Sequence, residues 1–141
     1  MVALRRVVLA LETVVGLAVA GLRIAATPDE RTSRLLGAPG APGASAGLTP
    51  RPTADRLTAA RVGRAVERVA NRVPWPATCL PRALAARAML RRRHIPCELH
   101  LGVRPDPAVE AHAWVTVGPV VVVGAPITGL TELASFATPA T

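Results

Sequence analysis

Two stretches in the first half of the chain carry apolar residues at helical spacing. Residues 3–26 form a long apolar run that predicts a first helix, interrupted by Glu12 and Arg23. Residues 53–73 predict a second helix, because a valine stripe recurs at i, i+4, i+7 and i+11 while the arginines lie mostly off it. Its members are Val62, Val66, Val69 and Val73. Pro74 is expected to end this helix, since proline disfavours helical geometry at the preceding residue.

A third helix is predicted to begin at or just after Cys79, and the period then changes to that of strands. Pro81 fits the first turn of this helix, and the arginines at 91–93 suit its last turn. The segments CELHLGVR, AHAWVTV and VVVVGAP predict three strands. In the first strand Cys97 and His100 are expected on opposite faces. This order of elements predicts an α+β fold in which helices pack on a small antiparallel sheet.

The 141 residues fit one domain preceded by a helix. Residues 37–54 alternate Gly and Pro with Ala and Ser, which predicts a linker between an N-terminal helix with its exit, residues 1–36, and a core, residues 55–141. The first helix has an uncharged run of ten residues, 13–22, whereas a spanning helix needs about 20. We therefore expect it to pack on the domain or a partner, with a cleaved signal sequence as the alternative. Residues 127–141 are too weakly patterned to predict an element.

The charge of the chain favours an acidic partner. It has 17 Lys+Arg against 9 Asp+Glu, a net charge of +8. Nucleic acid is not predicted as that partner, because the arginines are scattered and no aromatic residues interleave with them. Cys79 and Cys97 are too few for a disulfide framework, and they favour a reducing, cytoplasmic location.

Cys79 is the candidate nucleophile because it stands at the predicted start of a helix. The dipole and free amides of a first helical turn stabilise a thiolate and can donate to an oxyanion. Three histidines could act as its base: His94 at a helix exit, and His100 and His112 in strands. His112, between two alanines, is expected to point back at the helix packed across the sheet. From these residues alone, a structural cysteine and a half-buried histidine explain the pattern better than catalysis.

Zinc binding is a rival from another class of function. His94, Cys97 and His100 recur every three residues, and the other cysteine and histidine could complete a ligand set. Pro96 excludes a regular helix in this segment, and strand alternation separates Cys97 from His100. The sequence therefore predicts neither a metal nor a cofactor.

Two boxes, CLPRALAARAMLRRRHIPCELHLGVR and AHAWVTV, resemble in order and spacing the leader peptidases of lasso-peptide biosynthesis, the B2 family. The resemblance covers about residues 61–136. It implies a transglutaminase-like or papain-like cysteine peptidase, with Cys79 as nucleophile and His112 as general base. The implied reaction is hydrolysis of the bond between leader and core in a ribosomally made precursor. A separate leader-recognition protein of the B1 type is the implied partner, and residues 3–26 are expected to contact the lasso cyclase or a membrane surface.

The chain departs from this family at the third catalytic residue. The family usually carries an aspartate about a dozen residues after the histidine, where this chain has Gly124, and no acid lies between His112 and Glu132. Three alternatives follow: Glu132 folds back as the third catalytic residue, a backbone carbonyl orients the ring, or this copy is a weakly active or non-catalytic scaffold. We favour the first two in combination.

Trp75, Arg82 and Trp114 are the candidate substrate-binding residues. Trp75 precedes the nucleophile by four residues and could shape the cleft or donate its indole N–H to an oxyanion. Core packing is the alternative for both tryptophans, and a solvated helix position is the alternative for Arg82. Asn71 is the only asparagine and the chain has no glutamine. The side-chain amide donor of papain-like enzymes therefore has no obvious counterpart.

Overall fold

The described part of the chain folds as three helices and one four-stranded sheet, which confirms the predicted α+β class. The computed structural model describes residues 1–26, 36, 39–40, 51–105 and 107–138. The helices are α1 (Val2–Ala26), α2 (Thr53–Ala70) and α3 (Cys79–Arg92). The larger part of the predicted linker, residues 41–50, lies outside the described residues.

Helix α2 buries the predicted stripe but ends earlier than predicted. Val62 and Val66 are fully buried. Asn71 caps the C-terminus of α2, and its N–H reaches the carbonyls of the last turn. Val73 lies beyond the helix, because the residue before Pro74 is pushed out of helical geometry. The chain then turns and enters α3 at Cys79, as its sequence predicts.

The sheet contains the three predicted strands and a fourth that the pattern missed. The strands are β1 (Cys97–Arg104), β2 (Glu110–Val117), β3 (Val120–Val123) and β4 (Thr131–Thr138). Their spatial order is β3-β2-β1-β4 with every pair antiparallel. The simple meander expected for the first three strands is therefore extended at its far edge, because β4 returns to pair with β1.

An irregularity in pairing explains why β4 escaped prediction. Leu101 pairs with Ala134 but Gly102 pairs with Glu132, so Leu133 has no partner in register. A bulge of this kind interrupts the alternation of apolar and polar residues. Leu133 is exposed while Phe136 is buried, and neither a strand nor a helix period emerges from the sequence of the segment.

The core lies between the sheet and helices α2 and α3, and small side chains dominate it. Leu99 and Val115 project from β1 and β2, while Ala83, Ala86 and Met89 meet them from α3. Alanines allow the helix to approach the sheet closely, although each of them buries little apolar area.

Helix α1 packs on the outside of α3 and remains largely exposed. Leu17 and Thr13 are fully buried, and the Glu12 carboxylate binds Arg92 and Arg93 at the end of α3. By length and composition alone α1 could cross a membrane, and a signal sequence near the N-terminus meets the same criteria. Its outer face carries exposed apolar side chains, among them Leu11.

Candidate active site

Cys79 is the first residue of α3, where the amides of the first turn are available to a ligand. Thr78 caps the helix in an extended conformation and makes no side-chain capping hydrogen bond. Cys79 is half-buried and not part of a disulfide. The aligned dipoles of a helix favour negative charge at its N-terminus. The sulfur therefore occupies a position suited to a thiolate.

His112 lies on the same cavity as Cys79. The cavity measures about 430 Å³ and is bounded by α2, the start of α3, the start of β2 and the segment after β3. Its lining residues are Glu67, Ala77, Thr78, Cys79, Arg82, Glu110, Ala111, His112, Val123, Gly124 and Ala125. The structure thus brings the predicted nucleophile and the predicted base together. Among the described residues, no hydrogen bond joins their side chains directly.

The orientation of His112 differs from the one expected from the sequence. Ala113 and Val115 point into the core beneath the helices. Since side chains alternate along a strand, His112 shares the opposite face with Trp114, and their rings stack at 6.2 Å between centroids. His112 reaches the cavity because it stands near the beginning of β2, not because it points across the sheet at α3.

A backbone carbonyl fixes the tautomer of His112. The Nε2 atom lies 2.6 Å from the carbonyl oxygen of Gly124. A carbonyl oxygen can only accept a hydrogen bond, so Nε2 carries the proton. In the neutral ring Nδ1 then holds the free lone pair. This is the form that a general base requires.

Comparison with known proteins gives the family. The model of the transglutaminase-like superfamily matches residues 24–137. The chain belongs to the transglutaminase-like superfamily. No curated protein and no solved structure matches it. The superfamily includes cysteine peptidases and acyltransferases, and the chain has their cysteine-protease type of fold. Helix α1 lies almost wholly before the matched region.

In this transglutaminase-like protein, Gly124 has no room for a side chain. Its φ of +95° favours glycine. A Cβ placed on it would lie 2.6 Å from the Cβ of Trp114 and 2.7 Å from the carbonyl oxygen of Ala113. An aspartate could not replace it without movement of β2. The carbonyl acceptor is thus an integral part of this backbone.

The structure contradicts the prediction that Glu132 completes the triad. The Glu132 carboxylate pairs with Nδ1 of His100, and the second ring nitrogen of His100 contacts Thr116 Oγ1 at 2.8 Å. His112 and Glu132 face Gly102 from opposite sides of β1. The intervening space is taken by the Trp114 ring, which lies so close over Gly102 that an added Cβ would approach it to 2.9 Å. Of the two favoured alternatives, the backbone carbonyl is the one present.

Of the three candidate substrate-binding residues, one lines the cavity and two pack in the interior. Arg82 lines the cavity. Trp114 is 5% exposed and stacks on His100 as well as on His112, so it packs behind the histidine that lines the cavity. Trp75 packs against the small cluster under α1 that contains Leu17 and does not line the cavity. Both tryptophans therefore have the packing role that was the alternative to substrate binding, because their large rings fill the gaps between alanine-rich elements.

Glu67 is the cavity residue that sequence reasoning missed. It lies on α2, off the valine stripe, and its Oε1 accepts the Gly124 N–H at 3.3 Å. Gly63, one turn earlier, explains this position: a Cβ there would lie 2.2 Å from the Val122 carbonyl oxygen. Glycine therefore lets α2 lie directly on β3. A glycine on the buried side of a helix was the available signal.

The zinc alternative finds no support in the structure. Within residues 1–26, 36, 39–40, 51–105 and 107–138, no three His, Cys, Asp or Glu side chains come together as a metal site. Cys97 belongs to the core, whereas His100 lies on the other face of β1. Burial raises the pKa of the Cys97 thiol to about 11.

Proposed function

We propose that the protein is a cysteine peptidase that removes the leader from a ribosomally synthesised lasso-peptide precursor. One observation supports catalysis above all: the cavity that Cys79 lines at a helix N-terminus is also lined by His112, whose Nε2 is bound to the Gly124 carbonyl and whose Nδ1 has no hydrogen bond within the described part of the chain. The two sequence boxes that resemble the lasso leader peptidases support this substrate class.

In the proposed reaction, Nδ1 of His112 takes the proton of the Cys79 thiol, and the thiolate attacks the carbonyl carbon of the leader–core bond. The first-turn amides of α3, with that of Cys79, donate to the oxyanion. His112 returns the proton to the leaving amine, which frees the core. Water, deprotonated by His112, then hydrolyses the leader thioester and regenerates the thiol.

The proposal includes partners that match the surface of the chain. The net charge of +8 suits an acidic leader or an acidic recognition protein of the B1 type. The exposed apolar face of α1, with Val8, Leu11 and Val15, suits contact with the lasso cyclase or a membrane surface. The expected site of this assembly is the cytoplasm, where both thiols stay reduced.

The test of the proposed function is leader cleavage followed by mass spectrometry. Precursor is incubated with the parent, with Cys79→Ala and with Cys97→Ala, each with and without a recognition protein. We expect cleavage by the parent and by Cys97→Ala, whose thiol is buried away from the cavity, and none by Cys79→Ala. Equal cleavage by Cys79→Ala would refute the proposal.

A non-catalytic scaffold in the same complex is the second candidate function. The observation that favours it is that His112 is hydrogen-bonded to a neutral carbonyl instead of a carboxylate. In a comparable triad, loss of the acid's function lowers turnover by up to about 10⁴. A parent protein that binds the precursor assembly but cleaves no leader would establish this alternative.

A further inference from the structure

Gly124 is held at both of its backbone polar groups. Its carbonyl oxygen accepts the His112 Nε2–H at 2.6 Å, and its N–H donates to Glu67 Oε1 at 3.3 Å. Its left-handed backbone and missing side chain leave no Cβ packing to fix its orientation. The hydrogen bond to its amide therefore helps, together with the close packing against Trp114, to hold the backbone that carries the carbonyl.

The Glu67 carboxylate is itself held by Arg82. Its second oxygen, Oε2, accepts from Arg82 Nη1 at 2.5 Å. The same guanidinium donates to the Ala77 carbonyl oxygen at 2.7 Å and to Asn71 Oδ1 at 3.0 Å. The planar fork of arginine suits such simultaneous contacts. The Glu67 carboxylate is thus fixed by one oxygen and presents the other to Gly124.

This network joins the two halves of the site. Ala77 lies two residues before Cys79, so Arg82 connects Glu67 to the chain that leads into the nucleophile. Gly124 connects Glu67 to His112. The close approach of α2 to β3 at Gly63 places Glu67 between Arg82 and Gly124.

We infer that Glu67 is a positioning residue that takes over part of the task of the missing triad acid: it holds Gly124, and Gly124 holds the His112 ring with Nδ1 facing the cavity. This inference rests on the proposed peptidase function for its kinetic consequence, but not for its effect on the ring. The carboxylate acts as a hydrogen-bond acceptor, and its charge is already compensated by Arg82.

The role of Glu67 as a hydrogen-bond acceptor predicts different activities for three variants at this position. Glu67→Gln keeps the side-chain length but only one of the two acceptor oxygens, so it can accept from Gly124 or from Arg82 but not from both. Glu67→Asp keeps the charge but withdraws it by one methylene, and Glu67→Ala removes the group. In metal sites, the partners that orient a ligating histidine are worth about 10- to 100-fold in metal affinity or activity, and we take the lower end of that range for His112. We therefore expect kcat to fall about tenfold in the Asp and Ala variants with KM changed less than about twofold, and to fall by a smaller factor in Glu67→Gln, which retains one acceptor.

The matched control is Asp55→Ala. Asp55 lies on the same helix and forms an ion pair with Arg51, but it does not line the cavity. Its variant removes a carboxylate and an ion pair from α2 without touching Gly124. We expect parental kcat and KM.

A second measurement is independent of peptidase activity. Ring ¹⁵N NMR, with the His112→Gln variant assigning the signal, reports which nitrogen of His112 carries the proton. We expect the Nε2–H form in the parent, and a mixture of both tautomers in Glu67→Asp and, to a smaller extent, in Glu67→Gln. Where Glu67→Ala fails to fold, the Asp and Gln variants still report whether the tautomer of His112 depends on the contact between Glu67 and Gly124.

The outcomes separate the two proposals. A parent that cleaves no leader, combined with a tautomer that depends on Glu67, refutes the peptidase function and supports the positioning role. A parental tautomer and parental kcat in Glu67→Asp overturn the positioning role, even in an active peptidase. A parental kcat in Glu67→Ala also overturns it, since neither acceptor oxygen would then be required.

Discussion

The His112 imidazole donates its Nε2–H to the Gly124 carbonyl oxygen at 2.6 Å, near the position at which the sequence resemblance predicts an aspartate. A carbonyl selects the same tautomer as a carboxylate, because both accept a hydrogen bond. It supplies less stabilisation to an imidazolium, since it carries only a partial charge. The site therefore retains orientation and gives up part of the electrostatic support.

Restoring the acid at Gly124 is expected to harm the protein. In Gly124→Asp the backbone at φ +95° is strained, and the new Cβ clashes with Trp114. We expect a loss of about 1–3 kcal/mol in the free energy of unfolding and no gain in leader cleavage. Thermal unfolding and the cleavage assay measure the two effects. Gly21→Ala is the control, because its added Cβ meets nothing within 4 Å; a faster Gly124→Asp enzyme would contradict the prediction.

Gly63→Ala tests the contact between α2 and β3. The added methyl would lie 2.2 Å from the Val122 carbonyl oxygen, so the helix is expected to move outwards and Glu67 to leave Gly124. We expect a destabilisation of about 1–3 kcal/mol, the usual cost of overpacking, with reduced cleavage by the folded fraction. Denaturant unfolding measures the first effect. In Gly16→Ala the new Cβ makes only ordinary contact with Ala85 at 3.5 Å, and stability should be maintained; equal effects of the two variants would argue against the close-contact explanation.

The buried thiol of Cys97 is expected to make the protein less stable at alkaline pH. Burial raises the pKa of its thiol from 9.0 to about 11. The unfolded state therefore loses its proton first, and stability falls as the pH rises from about 9 to about 11. The loss expected from this shift is about 2–3 kcal/mol. Urea unfolding across this range should reveal it, and Cys97→Ala should have a flatter profile; a parallel fall in both proteins would assign the loss to other groups.

The docking of α1 is expected to weaken in acid. The hydrogen bond from Arg93 lowers the pKa of Glu12 below its ordinary value of 4.5. The stabilisation is therefore present above that value and is lost as the pH falls below it and Glu12 becomes protonated. Faster hydrogen exchange of α1 amides in acid would report the loss.

Arg93→Ala should loosen α1 at neutral pH as well, by about 1 kcal/mol for a partly exposed ion pair. Arg91→Ala is the matched control, because it removes an arginine from the same turn that does not bind Glu12. Equal exchange rates in the two variants would show that the ion pair does not hold the helix.

The local elements were largely predictable from the sequence. The valine period marks α2, the position of Cys79 before a proline-containing first turn marks α3, and alternation marks β1 and β2. Strand β4 was not predictable, because the unpaired Leu133 breaks its alternation and its partner, β1, is distant in the chain.

The site was predictable in its two main residues and unpredictable in its connections. The family boxes point to Cys79 and His112, and the cavity holds both. The contacts of Glu67 and Glu132 depend on which elements lie side by side. Glu132 was assigned to the wrong histidine because the Trp114 ring over Gly102 separates it from His112, a tertiary detail that sequence distance does not contain.

The carbonyl of Gly124 belongs to the main chain, so its presence does not depend on which side chain occupies this position. A substitution cannot delete this acceptor in the way that it can delete an aspartate. Mutational sensitivity is instead transferred to residues that perform no chemistry: the glycines that permit close approach and the acid that holds an amide. A search that recognises members of such families by the identity of the third catalytic residue would discard chains in which a backbone carbonyl orients the histidine.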